Sequence, residues 1–212
     1  MANILFDLDG TLSDPKIGIT HCVRYALEKL GHDTPTNDDD LTWMIGPPLL
    51  TSFEQMLSNK NDAQKALKFY RERFSTIGLY ENEVYDDIPQ ILQTLQESGH
   101  KLFVATSKPR IFAAKIIDHF GLSNFFTKVH GSELDGTNGD KTELLAHIIK
   151  FNQLDRSQTT MIGDRKFDII GAHNNKLASI GVLYGYGDIL ELKEAGAQTL
   201  CQKPRDLLNS FK

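Results

Sequence analysis

Asn3-Ile4-Leu5-Phe6-Asp7-Leu8-Asp9-Gly10-Thr11 reads as a short buried strand that runs into two acids and a turn. Four apolar or neutral residues at the amino end suit a strand covered on both faces, as in a parallel sheet. The acids at i and i+2 leave the strand in the same direction, and Gly10 lets the backbone turn sharply behind them. Outward from this stretch the text changes character twice. From about 16 to 78 every segment looks helical: Ile19, Cys22, Val23, Ala26, Leu27 and Leu30 keep helical spacing up to Gly31. Leu49, Leu50, Phe53, Met56 and Leu57 repeat the pattern after Pro47-Pro48, and Asp62 is placed to cap a third helix whose inner face includes Ala66, Tyr70, Phe74 and Ile77. After about residue 83 strands and helices alternate. Strands are expected near 102–105, 128–130, 160–162 and 179–182, with helices over 88–98, from Pro109 to Phe120, and near 141–150 and 166–175. Alternation of this kind predicts an α/β fold, a Rossmann-like parallel sheet with helices on both faces. The helical stretch makes a second, smaller lobe, so residues 1–14 and 82–212 form the expected core domain and 15–81 an insert.

Composition narrows the function. The 212 residues carry a net charge of −5, with 40% hydrophobic and 24% charged residues, which is globular and not disordered. An acidic chain offers no basic footprint for a nucleic-acid polymer or an anionic membrane. No apolar run approaches the ~20 residues that span a bilayer. Cys22 and Cys201 are too few and too far apart for a disulfide framework or a cysteine-built zinc site. With a first strand that begins almost at residue 1, these features read as a cytoplasmic protein without a leader.

Two acidic stretches carry the chemistry. Asp7 and Asp9 emerge at a strand's carboxyl end, where open parallel sheets bind ligands. Gly163-Asp164-Arg165-Lys166-Phe167-Asp168 follows the strand near 160–162 in the same way, and Asp164 and Asp168 share a helix face. Each stretch alone has an ordinary reading, a solvated turn for the first and a helix-dipole acid for the second. Together they set four acids against one another, which calls for a hard cation; Mg²⁺ fits, because it takes oxygen ligands and keeps room for water and phosphate. Thr106-Ser107-Lys108-Pro109 runs from strand towards helix and would set the Thr106 hydroxyl and nearby amides at a helix amino terminus, an anion site. Lys141 stands at the start of a helix, against its dipole, a conflict that an anion or acid cluster resolves.

In that order, Asp7-x-Asp9-Gly10-Thr11, Thr106-Ser107, Lys141 and Gly163-Asp164-x-x-x-Asp168 resemble the four motifs of the haloacid dehalogenase superfamily, and the resemblance spans nearly the whole chain. The nearest branch looks like the phosphoglycolate phosphatases and 5′-nucleotidases, partly through Ile45-Gly46-Pro47-Pro48-Leu49. The resemblance implies a phosphomonoesterase acting on a small phosphorylated metabolite. It makes Asp7 the nucleophile and Asp9 the general acid and base. Asp7, the Asp9 carbonyl, Asp164 and Asp168 become Mg²⁺ ligands, and Gly10, Thr106, Ser107 and Lys141 the phosphate-binding residues. The helical insert would be a cap in which Gly46, Arg71 and Arg73 bear on substrate choice. A phosphosugar mutase of the same fold and a non-catalytic phosphoacceptor module stay open as alternatives, although a second acid beside the nucleophile shortens the life of an acyl phosphate and disfavours the latter. The seven histidines show no ligand spacing. Neither the oligomeric state nor the physiological substrate is legible.

Overall fold

The structure, a computed structural model, describes residues 1–211. The chain divides into two compact units: Met1–Asp14 together with the chain from Val84 on, and Pro15–Glu83. The sequence reading put the return two residues earlier, after 81.

The larger unit is built on a six-stranded sheet. Its strands are β1 (Asn3–Phe6), β4 (Lys101–Pro109), β5 (Lys128–Ser132), β6 (Thr159–Gly163), β7 (Ala178–Val182) and β8 (Thr199–Cys201). They lie in the order β5-β4-β1-β6-β7-β8, and every pairing is parallel. β2 (Ser13–Asp14) and β3 (Glu83–Val84) pair as a separate two-stranded sheet. The crossovers are α4 (Ile88–Glu97), α5 (Arg110–His119), α6 (Lys141–Asn152), α7 (Lys166–Asn174) and α8 (Ile189–Glu194). The chain builds outward from β1 to β5 on one side, then crosses back and builds from β6 to β8 on the other. The direction therefore reverses between β1 and β6, where such sheets leave a crevice beyond the strand ends. Burial explains the strand choice: Ile4, Leu5, Phe6, Phe103, Val104 and Met161 are all closed to solvent. Leu5, Phe103 and Met161 pack with Leu144, Leu145 and Ile148 of α6 and Ala172 of α7 into one apolar cluster, each side chain contributing about 1.5–3 kcal/mol of burial.

The smaller unit is helical: α1 (Lys16–Leu30), a 3₁₀ segment (Asp38–Met44), α2 (Leu49–Leu57) and α3 (Lys60–Arg73). Gly31 ends α1 in the left-handed region, φ 74°, and its N–H returns to the Glu28 carbonyl. Phe53 meets Tyr70 edge-on at 6.3 Å and Tyr70 stacks on Phe74 at 5.2 Å. Asp62 does not cap α3; Asn59 does, accepting from the Asn61 and Asp62 amides, because Ala63 already lies on the buried face and the helix must start before it. Past Arg73 the chain widens into a π turn, Phe74–Gly78, so Ile77 leaves the inner face and is 51% exposed. No helix among the described residues is long and apolar enough to cross a membrane.

A further correction bears on the site. β4 does not stop before Thr106 but continues through Pro109, with its register slipping between those two residues. α5 begins only at Arg110. Thr106 therefore sits in a bulged strand end and not in a helix's first turn.

Candidate active site

β1 and β6 end side by side, with Phe6 paired to Ile162 and the Asp7 amide donating to the Ile162 carbonyl at 2.9 Å. Beyond β1 the chain wraps tightly on Leu8, whose carbonyl receives the amides of Thr11, Leu12 and Ser13. Gly10 turns here at φ +80°, and a Cβ on it would lie 2.1 Å from Asp164 Oδ2. Its own N–H donates to the Ser13 carbonyl at 2.8 Å. So Gly10, which the resemblance places among the phosphate-binding residues, supplies room for the Asp164 carboxylate, and its amide is engaged within the turn.

Beyond β6, Asp164 is wholly buried. Its Oδ2 accepts from the Tyr186 amide at 2.8 Å, while Oδ1 is buried with no hydrogen-bond partner. Asp168 folds back within the first turn of α7, its Oδ2 accepting from the Arg165 amide at 3.1 Å. Gly163 permits this, since a Cβ there would fall 2.1 Å from the Asp168 Cγ. One oxygen from each of Asp7, Asp164 and Asp168 lies within 4.8 Å of the other two.

Lys141 enters from the start of α6, nearly closed to solvent. Its ammonium stands 2.7 Å from Asp168 Oδ1 and 3.1 Å from Asp7 Oδ1, and donates to the Ala105 carbonyl at 2.9 Å. The ammonium therefore answers Asp168 Oδ1 as well as Asp7 Oδ1, which leaves Asp164 Oδ1 buried with no hydrogen-bond partner. With three N–H groups facing two carboxylates and a carbonyl, Lys141 is first a tie within the acid cluster. The sequence reading left an acid cluster or an anion open as its partner, and the family resemblance added phosphate.

Asp9 stands apart from this cluster. Its Oδ1 accepts from Lys108 Nζ at 2.7 Å, with both side chains under a tenth exposed. The Thr106 hydroxyl accepts from the Lys108 amide at 3.2 Å, and the Ser107 carbonyl accepts from the Ser132 hydroxyl at 2.9 Å.

Electrostatics set this region apart. Burial pushes the Asp9 carboxyl up, opposed by Lys108 and reinforced by Asp7. Burial likewise raises Asp164 well above the usual carboxylate range, helped by the charges of Asp168 and Asp7. Asp168 is pushed up to about 6, again by burial, with Lys141 pulling against it. Burial opposes the charge on Lys141, but Asp168 and Asp7 outweigh it and hold the ammonium above its ordinary value. Four buried carboxylates, Asp7, Asp9, Asp164 and Asp168, thus face Lys141 and the covered side chain of Lys108, an excess of carboxyl groups that burial makes costly to ionise.

The family of haloacid dehalogenase-like hydrolases matches residues 4–182. The chain belongs to it. A 5′-nucleotidase of Pseudomonas aeruginosa is 49% identical over 192 residues, covering 90% of this chain and 86% of that one. A tyrosine-protein kinase, PtkA, of Mycobacterium tuberculosis is 35% identical over 184 residues, 87% of this chain and 62% of that one. The crystal structure of a predicted phosphatase from Clostridium acetobutylicum superposes with a TM-score of 0.96 at 40% identity, covering 99% of this chain and 97% of that one.

For this haloacid dehalogenase-like hydrolase, a hard divalent cation passes the test of the donors present. The cluster offers only oxygen ligands, Asp164 Oδ1 is buried with no hydrogen-bond partner, and carboxylates outnumber the lysine among them. The site also contains residues that the sequence did not advertise. Lys108 is one; its value depends on Asp9, far away in the chain, and the only local signal was a lysine directly behind Thr106-Ser107. The loop after β7 is another. Gly185 and Gly187 press their backbones against Asp164, where a Cβ would come within 2.4 Å and 2.0 Å of its atoms. Glu191 of α8 then ties down the start of α7, accepting from the Arg165 guanidinium at 2.9 Å and the Lys166 amide at 2.8 Å.

The three residues of the helical unit are arranged differently. Gly46 turns at φ 103°. Burial lowers the Arg71 guanidinium. Arg73 is held by Glu81 in two hydrogen bonds of 2.6 and 3.0 Å, with Cys22 Sγ at 3.2 Å. Its charge is answered within its own unit, which leaves less for a substrate anion than the sequence reading assumed.

Proposed function

We propose that this hydrolase is a Mg²⁺-dependent phosphomonoesterase of small phosphorylated metabolites, with a nucleoside 5′-monophosphate as the leading substrate, working through an aspartyl-phosphate on Asp7. The observation that carries the reading is the separation of carboxylates at the β1/β6 crevice: Asp7, Asp164 and Asp168 gathered around Lys141, and Asp9 held apart on Lys108. Asp7, Asp164 and Asp168, with the Asp9 carbonyl, would hold Mg²⁺, which when bound supplies positive charge to the phosphoryl oxygens.

The remaining steps belong to side chains. Leu8 N–H and Lys141 fix Asp7 Oδ1, which orients the carboxylate for in-line attack. An Asp7 oxygen bonds to phosphorus as the ester P–O bond breaks, and Asp9 in its protonated form, which burial favours and Lys108 opposes, passes its proton to the leaving oxygen. Asp9, now a carboxylate, takes a proton from a water that attacks the phosphorus. The acyl-phosphate bond breaks, freeing phosphate and Asp7. Thr106, Ser107 and Lys141 would hold the phosphoryl oxygens as their charge grows. Gly46 and Arg71, in a helical unit acting as a cap, would bear on the leaving group.

The identity to a 5′-nucleotidase supports the nucleotide over phosphoglycolate. Released phosphate, measured over a panel of esters with and without EDTA, tests both halves. Metal-dependent release fastest from nucleoside 5′-monophosphates is expected. A preference for phosphoglycolate would overturn the substrate, and no turnover of any ester, p-nitrophenyl phosphate included, would overturn the phosphatase reading.

A further inference from the structure

We propose that Lys108 is a positioning residue that keeps the Asp9 carboxyl out of the Asp7–Asp164–Asp168 cluster and so reserves it for proton transfer. The inference rests on the acid–base reading of Asp9 given above. Asp9 follows Asp7 by two residues just past the end of β1 and lies within reach of its charge, so Asp9, unrestrained, would compete with its neighbours for a cation. A carboxylate bound to a dication is a poor proton carrier. Yet the gathered oxygens belong to Asp7, Asp164 and Asp168, and Asp9 Oδ1 instead meets Lys108 Nζ at 2.7 Å in a buried pair.

The backbone around Lys108 is shaped for this. Phe6 pairs with Val104, so β1 and β4 leave the sheet as neighbours. Past Thr106, β4 bulges: Thr106 pairs with Gly131, but the next pair on β5 is Pro109 with Ser132. A bulge re-aims the side chains it carries. This one is fixed at three points: the Lys108 amide on the Thr106 hydroxyl, the Ser107 carbonyl on the Ser132 hydroxyl, and Gly131, where a Cβ would sit 2.5 Å from the Lys108 carbonyl. Burying a lysine is costly unless its partner is held in place, and here both partners are.

A double-mutant cycle with Lys108→Met and Asp9→Asn tests it, read on a nucleoside 5′-monophosphate and on p-nitrophenyl phosphate, whose leaving group departs without a proton. Lys108→Met should slow the nucleotide about 10²-fold, the usual worth of a positioned acid. The first-turnover release of nitrophenolate should fall less than about 5-fold, because Asp7 is untouched. Adding Lys108→Met to Asp9→Asn should change nucleotide turnover by less than about 2-fold, since a residue acting through Asp9 has nothing left to position. Lys108→Arg should recover most of the loss, and calorimetric Mg²⁺ titration of Lys108→Met should show tighter binding. Equal losses on both esters, or losses that multiply in the double mutant, would overturn the proposal. If Asp9→Asn alone slows both esters equally, the acid–base reading falls, and this proposal with it. Should Lys108→Met fail to fold, Lys108→Gln takes its place in the same cycle.

Discussion

The two units treat charge in opposite ways. In the helical unit ions come in matched couples near the surface: Arg73 with Glu81, Arg24 with Asp38, Lys65 with Asp62. At the β1/β6 crevice, four buried acids share two lysines, Asp164 Oδ1 is buried with no hydrogen-bond partner, and three of the carboxyls are raised by burial. A matched couple is complete and serves the fold. An unmatched, buried cluster is a standing cost that only a ligand removes, and that difference locates function more sharply than exposure or cavity size does.

Breaking the unmatched side should have the largest effects. Asp7→Asn removes the proposed nucleophile, so turnover of every ester should fall on the order of 10⁴-fold or more, with no burst of nitrophenolate on rapid mixing. Lys141→Met leaves Asp7 and Asp168 without their shared cation. Breaking a buried pair costs about 3–5 kcal/mol, and thermal unfolding without metal should show it as a loss of about 10 °C for a chain of this size. Mg²⁺ itself sharpens the contrast: at a hundred times its dissociation constant it should add about 2.7 kcal/mol, roughly 5–10 °C in the melting temperature. An unchanged melting curve would remove the metal.

The acids also fix a sign. Asp168 is pushed up from 3.8 to about 6 on folding, so the native state binds its proton more tightly than the unfolded chain does. Its contribution to metal-free stability is complete below about pH 4 and is lost as pH rises through about 6. Asp9 and Asp164, also raised, act in the same direction. Mg²⁺ competes with those protons, so the shift it gives should be larger at pH 8 than at pH 5, as melting curves at the two values would show. The smallest effect belongs to the matched side. Arg73→Ala should cost no more than about 1 kcal/mol and leave p-nitrophenyl phosphate turnover unchanged; a large loss of turnover would erase the distinction between the units.

How far the site could be read in advance follows from where its information lies. Asp7, Asp164 and Asp168 stand in strand–acid junctions that a single sequence displays, and β1, β4, β6 and β7 carry the apolar residues that announce them. β8 is only Thr199–Cys201, too short for a pattern. The Thr106–Pro109 bulge is invisible because it depends on pairing with β5, and Lys108 because its partner is ninety-nine residues away. Gly185 and Gly187 gave no signal in the sequence, because what needs their missing side chains is Asp164, a tertiary neighbour. What escaped was what only tertiary neighbours define.

The position of β1 has a consequence for synthesis. β1 is made first, yet it lies in the middle of the sheet, between β4 and β6. A nascent chain that has emerged only through α6 can pair β1 with β4, but β1's other edge stays bare, an invitation to strand pairing with another chain. Over that interval Asp7 and Asp9 are on hand while Asp164 and Asp168 are not yet available. The acid cluster therefore cannot assemble until β6 and α7 have cleared the ribosome. A fragment ending before Thr159 should be both inactive and prone to aggregate, whereas one ending after Val182 should retain both walls of the crevice.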